Sequence, residues 1–490
     1  MVEPGMSEET NVPTPQPTVR ERNFLGHPVG LSVLFGTEMW ERFCFYGMRA
    51  LLTFYMVDYL FVGNTPETIF GYHAVKSFLE SFNGPLRPQP LAALVYGLYS
   101  MGTYLTGLAG GFIADRFLGQ RRAVIVGGLT MALGEFLLVD SHFFFPGLLT
   151  LVLGNGFFKP NIATQVGGLY KPGDSRIDRA YSVFYVGINL GALIAPIICG
   201  GLAHFQAGPP HWNYGFGAAG VGMLIGVTIN LLGQRTLPPD VRQRRLASAT
   251  AHAPLTRDDH RAVLALCAVA FFNLFFWGCY EQQGLTIALM AEKYTDLSTP
   301  FGTMDAEDVQ SFNPFFIFTI TPVILALWAR QAAKGTEPSS VIKMSLGCAG
   351  MALAYGLLII PALSMSPTHK VGWLWLLAAM FILTIGELYL SPVGLSLFSK
   401  AAPAKLASLM MAVNYLSNAV GNYLAGYLGS YWDGMAKPAF FAMIAGISAA
   451  TSVGIFLLSW LLDPILQVRM RREEERPGAL PLDPAKGYSP

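Results

Sequence analysis

Charge is the first thing this chain is short of. Lys, Arg, Asp and Glu make up 13% of its 490 residues and hydrophobic residues 52%, whereas a soluble domain carries about 25% charged residues. A water-soluble globule is excluded, and an all-α polytopic membrane protein is expected. Basic tracts are also lacking: 32 Lys and Arg stand against 31 Asp and Glu, so no nucleic-acid partner is expected. The five cysteines (Cys44, Cys199, Cys267, Cys279, Cys348) show no C-x-x-C spacing and read as small core residues. None of the eight histidines falls in the middle of an apolar run, and H-E-x-x-H does not occur. No metal, haem or other cofactor is therefore expected, and no enzymatic constellation is present. The first thirty residues are polar and proline-dotted with no apolar leader, so no cleaved signal peptide is expected. Residues 1–23 read as a disordered tail.

What the chain does have is apolar runs, near 30–60, 91–113, 123–140, 144–168, 180–204, 215–236, 260–291, 312–329, 342–363, 371–397, 408–431 and 439–462. Each approaches or exceeds the roughly 20 residues that cross a bilayer, which predicts about twelve spans. Lys and Arg crowd alternate loops (Arg116, Arg121, Arg122, Lys171, Arg176, Arg235, Arg330, Lys334, Lys400), while Lys76, Arg87, Lys293, Lys370 and Lys437 occupy the others. The positive-inside bias then predicts both termini in the cytoplasm. The polar, Arg-rich stretch 237–259 divides the chain into a six-helix bundle at 24–236 and another at 260–462, with a tail at 463–490. It is too short for two more spans. The loop 61–90 is long and proline-rich, with a short helix expected around 67–82 as a surface elaboration.

The first apolar run is also the most charged. In Glu38-Met39-Trp40-Glu41-Arg42-Phe43-Cys44-Phe45-Tyr46-Gly47-Met48-Arg49, a helix places Glu38, Arg42, Phe45 and Arg49 on one stripe, with Glu41 at its edge. Each such charge costs roughly 2.5–3.5 kcal/mol at a helix centre, so four in one span point to an ion or substrate path more than to packing. Lys159, in Phe157-Phe158-Lys159-Pro160-Asn161, lies about ten residues from the nearest span end, roughly 15 Å, too deep to snorkel comfortably. Glu281 and Glu387 are lone acids in otherwise apolar runs. Counting Glu38, Glu41, Glu281 and Glu387 against Arg42, Arg49 and Lys159 leaves one surplus acid, as expected where one carboxylate is protonated.

These strings resemble those of proton-dependent oligopeptide transporters, a branch of the major facilitator superfamily. The first span is similar to E-x-x-E-R-F-x-Y-Y-G, with Phe45 in place of the first tyrosine. Gly110 to Arg122 looks like the facilitator loop G-x-x-x-D-R-x-x-G-x-R-R. Phe184-Tyr185-Val186-Gly187-Ile188-Asn189-Leu190-Gly191 is similar to F-Y-x-x-I-N-x-G, and Phe276 to Gln282 resembles F-W-x-x-x-E-Q. Gln310 to Pro314 is similar to Q-S-x-N-P. Asn414 stands where tryptophan is usual, and Gly97 where animal members carry a histidine.

The resemblance implies a major facilitator fold and a bacterial inner-membrane symporter importing di- and tripeptides with protons by alternating access, functional as a monomer in the lipid bilayer. It implies proton coupling through Glu38, Glu41, Arg42 and Lys159. Peptide binding would fall to Arg49, Tyr46, Tyr104, Lys159, Asn161, Asn189, Asn313, Glu387 and Ser417. Gating ion pairs would be Arg49–Glu281 and Lys159–Glu387. A transport-dead sensor on the same fold would usually carry a signalling domain or long tail. A small-anion carrier would have less use for Glu387 and typically lacks the doubled acid of the first span.

Overall fold

The structure is a computed structural model, and it describes residues 23–24, 26–170, 174, 176–206, 208–240, 256–300, 302–403 and 405–474. Of the expected tails at 1–23 and 463–490, residues 1–22 and 475–490 lie outside the described residues, as does 241–255 of the expected linker.

Fourteen α-helices are present among the described residues. In chain order they are α1 (Val29–Phe54), α2 (Tyr72–Asn83), α3 (Pro88–Ile113), α4 (Gln120–Leu138), α5 (Phe144–Gly168), α6 (Ile177–Ala203), α7 (Trp212–Gly233), α8 (Arg257–Tyr280), α9 (Thr286–Tyr294), α10 (Phe312–Ala333), α11 (Ser340–Ala362), α12 (Leu374–Ala401), α13 (Ala407–Gly429) and α14 (Lys437–Glu474). Twelve of them have 19 residues or more, the number of spans the hydrophobic runs predict. Eight spans are long and apolar enough to cross a membrane by length and composition alone. The other four, α1, α3, α4 and α13, are interrupted by charges, tyrosines, glycines and asparagines. Leu232, Leu264, Val323 and Trp460 leave broad apolar surface exposed on the outside of the helices, as a lipid-facing wall requires.

α1 packs on α6 and α7, and α3 and α4 pack on α5; likewise α8 packs on α13 and α14, and α11 on α12 and α14. Lipid is as apolar as leucine, so such helices associate mainly through close packing, and small residues set the approach. A methyl group on Gly110 of α3 would sit 2.0 Å from the Gly156 carbonyl oxygen of α5. Where α3 crosses α13, a Cβ on Gly97 would lie 3.0 Å from the Gly426 Cα, so a side chain the size of histidine has no room here.

Three boundaries differ from the sequence reading. The seventh apolar run is not one helix: α8 ends at Tyr280, a 3-10 turn spans Glu281–Gly284, and α9 begins at Thr286. That break frees the Gly284 carbonyl to accept a hydrogen bond from Thr53 Oγ1 at 2.7 Å. α14 continues to Glu474, past the expected tail boundary at 463. The loop helix starts at Tyr72, after a 3-10 turn at Thr65–Thr68.

Candidate functional site

α7 ends and α8 begins on the same side of the molecule, called here the linker face. A cavity of about 1480 Å³ lies between α1–α7 and α8–α14. Gln120, Gly167, Gly168, Pro238 and Pro239 line its rim on the linker face, and Arg49, Glu281, Gln283 and Gln310 line its far end. Its walls combine aromatic rings (Phe45, Tyr46, Tyr104, Tyr185, Trp277, Tyr280) with the amides Asn189, Asn273, Asn313, Asn414 and Asn418. A large apolar-walled cavity with a few convergent polar groups is the form small-molecule sites take.

At the centre of α1, Arg42 grips Glu41 with both arms of its guanidinium: Nη2 donates to Oε1 at 2.6 Å and Nε to Oε2. Nε also lies 3.2 Å from Glu38 Oε1. Helical spacing explains the stacking, since Glu38 is one turn below Arg42 and Glu41 its neighbour. All three are buried, Glu41 completely so. Glu38 and Arg42 line the cavity, whereas Glu41 points behind α1 toward α5, where Asn155 Nδ2 is 3.5 Å from its Oε1. Glu38 Oε2 has no partner among the described residues.

Lys159 reaches the cavity where Pro160 follows it in α5, and its ammonium lies 4.7 Å from the centre of the Tyr104 ring. Such a contact is worth about 2 kcal/mol or more when desolvated. The expected Lys159–Glu387 pair is not formed in this structure. The cavity stands open toward the linker face between α5 and α12, and Glu387 instead accepts from Asn313 Nδ2 at 2.7 Å. Asn313 also reaches Thr384 Oγ1 at 3.1 Å, so its amide orients the acid from α10.

The expected Arg49–Glu281 pair is formed across the two sets of helices, Arg49 Nη2 donating to Glu281 Oε2. Arg49 Nε donates to Tyr96 O–H at 2.6 Å, so Tyr96 orients the guanidinium. Asn189 lines the cavity with its Nδ2 turned to the Tyr185 carbonyl at 3.0 Å. Two expected ligands do not reach the cavity. Asn161 Nδ2 is spent on the Phe157 carbonyl one turn back, at 2.8 Å, in the carbonyl-rich stretch beside Pro160. Ser417 Oγ donates to the Asn414 carbonyl at 2.7 Å and accepts from Asn273 at 3.1 Å, behind the wall. Asn273, Asn418 and Asn414 thereby make an amide cluster joining α8 to α13.

The far side of the cavity is shut by ties between the two sets of helices. Besides Arg49–Glu281 and Thr53–Gly284, Gln310 Nε2 donates to the Ala50 carbonyl at 3.3 Å, Ser311 Oγ to the Leu193 carbonyl at 2.8 Å and Gln89 Nε2 to the Gly429 carbonyl at 2.9 Å. Lys293 Nζ lies 3.1 Å from Asp58 Oδ1 and His204 Nε2 3.2 Å from Glu307 Oε1. The hydrogen bond to Glu307 raises the pKa of His204 above the ordinary imidazole range; Asp305 and Glu292 add to the rise, and desolvation opposes it.

The sign follows by linkage. A raised pKa in the closed form means that the tie is fully present below the ordinary imidazole pKa and is lost as pH climbs through the raised value. Spin labels on Val62→Cys and Ser298→Cys, in a Cys267→Ser background, are therefore expected to move apart as the pH is stepped from about 6 to about 8. His204→Gln should flatten that dependence, and an unchanged profile in the Gln variant would place the titration elsewhere.

A model of the family described as "POT family" matches residues 99–250 and 240–440. The chain is 33% identical over 479 residues to the peptide transporter YePEPT of Yersinia enterocolitica, covering 84% of this chain and 89% of that one. It is 29% identical over 512 residues to the di-/tripeptide transporter of Lactococcus lactis strain IL1403, covering 91% and 98%. The crystal structure of a peptide transporter POT in complex with sulfate superposes with a TM-score of 0.77 at 28% identity, covering 91% of this chain and 97% of that one.

Proposed function

The chain belongs to the POT family, and from that premise we propose a proton-coupled symporter that carries di- and tripeptides across the bacterial inner membrane by alternating access. The observation that carries this reading is the spacing of opposite charges around one cavity: Arg49 and Lys159 on α1 and α5, Glu387 on α12. A zwitterionic peptide offers a carboxylate to the first two and an amine to the third. Asn189 and Asn313 serve its amides, and Tyr46 and Tyr104 its side chains. A small anion would have less use for Glu387, which suits a substrate amine.

The linker face is assigned to the cytoplasm, with both termini there, because Arg116, Arg121, Arg122, Arg176 and Arg330 crowd it. The structure is then the inward-facing form. Residues 24–236 and 260–462 are the two rocking bundles, 237–259 joins them, and one copy suffices for transport. Closing the cytoplasmic side brings Lys159 to Glu387, while opening the other side releases Arg49 from Glu281. Peptide and proton each compete for one partner of these pairs, so binding favours the form in which the pairs are loosened. Protonating Glu41 frees Arg42, which then leans on Glu38. The driving force is about 2.3 kcal/mol per 100 mV for each charge moved, and about 1.4 kcal/mol per pH unit.

The test is uptake of labelled dialanine into proteoliposomes under an imposed pH gradient, inside alkaline. Accumulation that a protonophore collapses is expected. Uptake indifferent to the gradient would defeat the reading, and labelling of Ala247→Cys only from outside would defeat the sidedness.

A further inference from the structure

α4 carries a single acid in its apolar body, and the site above makes no use of it. Glu135 is fully buried, one turn from the end of α4 that lies away from the linker face. Its Oε1 accepts only the thiol of Cys44, at 3.3 Å, and its Oε2 has no partner among the described residues. The groups facing it are Cys44 from α1 and, farther off, Tyr99 from α3 and Cys199 from α6, with Gly220 of α7 packed against its Cβ; Glu41 lies on the other side of Cys44. No lysine, arginine or histidine among the described residues pairs with it. An ionised carboxylate so placed would lack a cation and any N–H donor, at a cost of several kcal/mol. The group therefore sits there as a carboxylic acid.

Its position matters more than its burial. Cys44 is three residues beyond Glu41, on the same face of α1, and it bridges toward Glu135 from the side of the coupling carboxylate that faces away from the cavity. We propose that Glu135 is a second proton-carrying carboxyl of the transport cycle, placed between the outer face and Glu41. This rests on the proton-coupled reading given above. The step balances as a relay. As found, the Cys44 thiol donates to Glu135. In the step it rotates toward Glu41, its S–H proton passes to the Glu41 carboxylate, and Sγ takes the proton of the Glu135 O–H bond as that bond breaks. Glu41 becomes neutral and releases Arg42, and the carboxylate left at Glu135 takes a proton from water on the outer side.

Glu135→Gln keeps the shape and neutrality of the resting group but cannot release a proton. Gradient-driven dialanine uptake is expected to fall about tenfold or more, with exchange in the absence of a gradient unchanged and Glu135→Asp partly restoring the loss. Cys44→Ala should slow uptake in the same sense, and Cys44→Ser should spare it. Where the Gln variant folds poorly, infrared difference spectra of wild type and Glu135→Asp on peptide binding serve instead: the carbonyl stretch of a protonated carboxyl should change in the first and be shifted in the second. Wild-type uptake and pH profile in a folded Gln variant, or no carboxyl band sensitive to Asp, would make Glu135 inert packing and overturn the proposal. If wild type itself shows no gradient-driven uptake, the functional reading fails, not this inference alone.

Discussion

Glu41→Gln is expected to abolish accumulation of dipeptide under a pH gradient while leaving exchange of peptide for peptide in place. The fork from Arg42 to both Glu41 oxygens is fully buried, so its strength depends on the carboxylate being charged. Protonation replaces a charge-assisted pair by a neutral one and hands Arg42 to Glu38, whose Oε1 is already 3.2 Å away. Glutamine fixes the neutral arrangement permanently. The variant still folds, because Arg42 keeps one acid and no charge is left buried alone. The expected loss is the whole proton-derived concentration, about a factor of ten for each pH unit across the membrane. Paired measurements of uptake and counterflow in the same proteoliposomes decide it: normal accumulation by the Gln variant would move the coupling proton away from α1.

A second pair of variants should split the two ends of the substrate. Glu387→Gln is expected to weaken free dipeptides by about 10- to 100-fold, the worth of a desolvated charged hydrogen bond of about 1.5–3 kcal/mol, and amino-terminally acetylated ones much less. Asn313 holds Glu387 at 2.7 Å from a neighbouring helix, so the amide of the Gln variant keeps a partner and the scaffold is undisturbed. Arg49→Lys should do the converse, penalising free carboxylates more than amidated ends. The planar guanidinium serves Glu281 and Tyr96 at once and matches a carboxylate, and a point-like ammonium does neither well. Competition assays with free, amino-terminally acetylated and carboxyl-amidated dialanine make the comparison internal to each variant. Equal weakening of free and acetylated peptide by Glu387→Gln would reverse the orientation of the peptide in the cavity.

Much of this site could be read from the chain because its chemistry is local in sequence. The E-x-x-E-R stripe is a helix-periodicity statement, and the helix that forms puts Arg42 between its two acids as the spacing requires. The number of long helices follows from hydrophobic length; the Arg49–Glu281 pair is what the family resemblance implies, and the structure brings the two side chains together. What escaped depends on how helices turn against one another. Asn161 and Ser417 belong to familiar strings, but whether an amide or hydroxyl faces the cavity or its own helix is a matter of a few tens of degrees of rotation. Asn273 and Asn418 sit 145 residues apart in the chain, and only the crossing of α8 and α13 joins them. The break at Glu281 was masked because the run on either side is equally apolar. Glu135 passed unnoticed for a simpler reason: an acid near the end of an apolar run usually reaches water, and this one meets α1, α3, α6 and α7 instead.

At the far end of the cavity most of the ties between the two sets of helices share one kind of acceptor. Four of them end on main-chain carbonyls (Ala50, Leu193, Gly284, Gly429), whose positions are fixed by their own helices and turns. Such bonds are strong in enthalpy when water is excluded, about 4–6 kcal/mol each, although their net worth is much smaller once water takes over both partners. Opening that side must stretch several of them before water arrives. The climb is therefore enthalpic and the recovery comes late, so the reorienting step should slow far more on cooling than substrate binding does. A chilled carrier accumulates with its cavity open toward the linker face, loaded from that face and unable to turn.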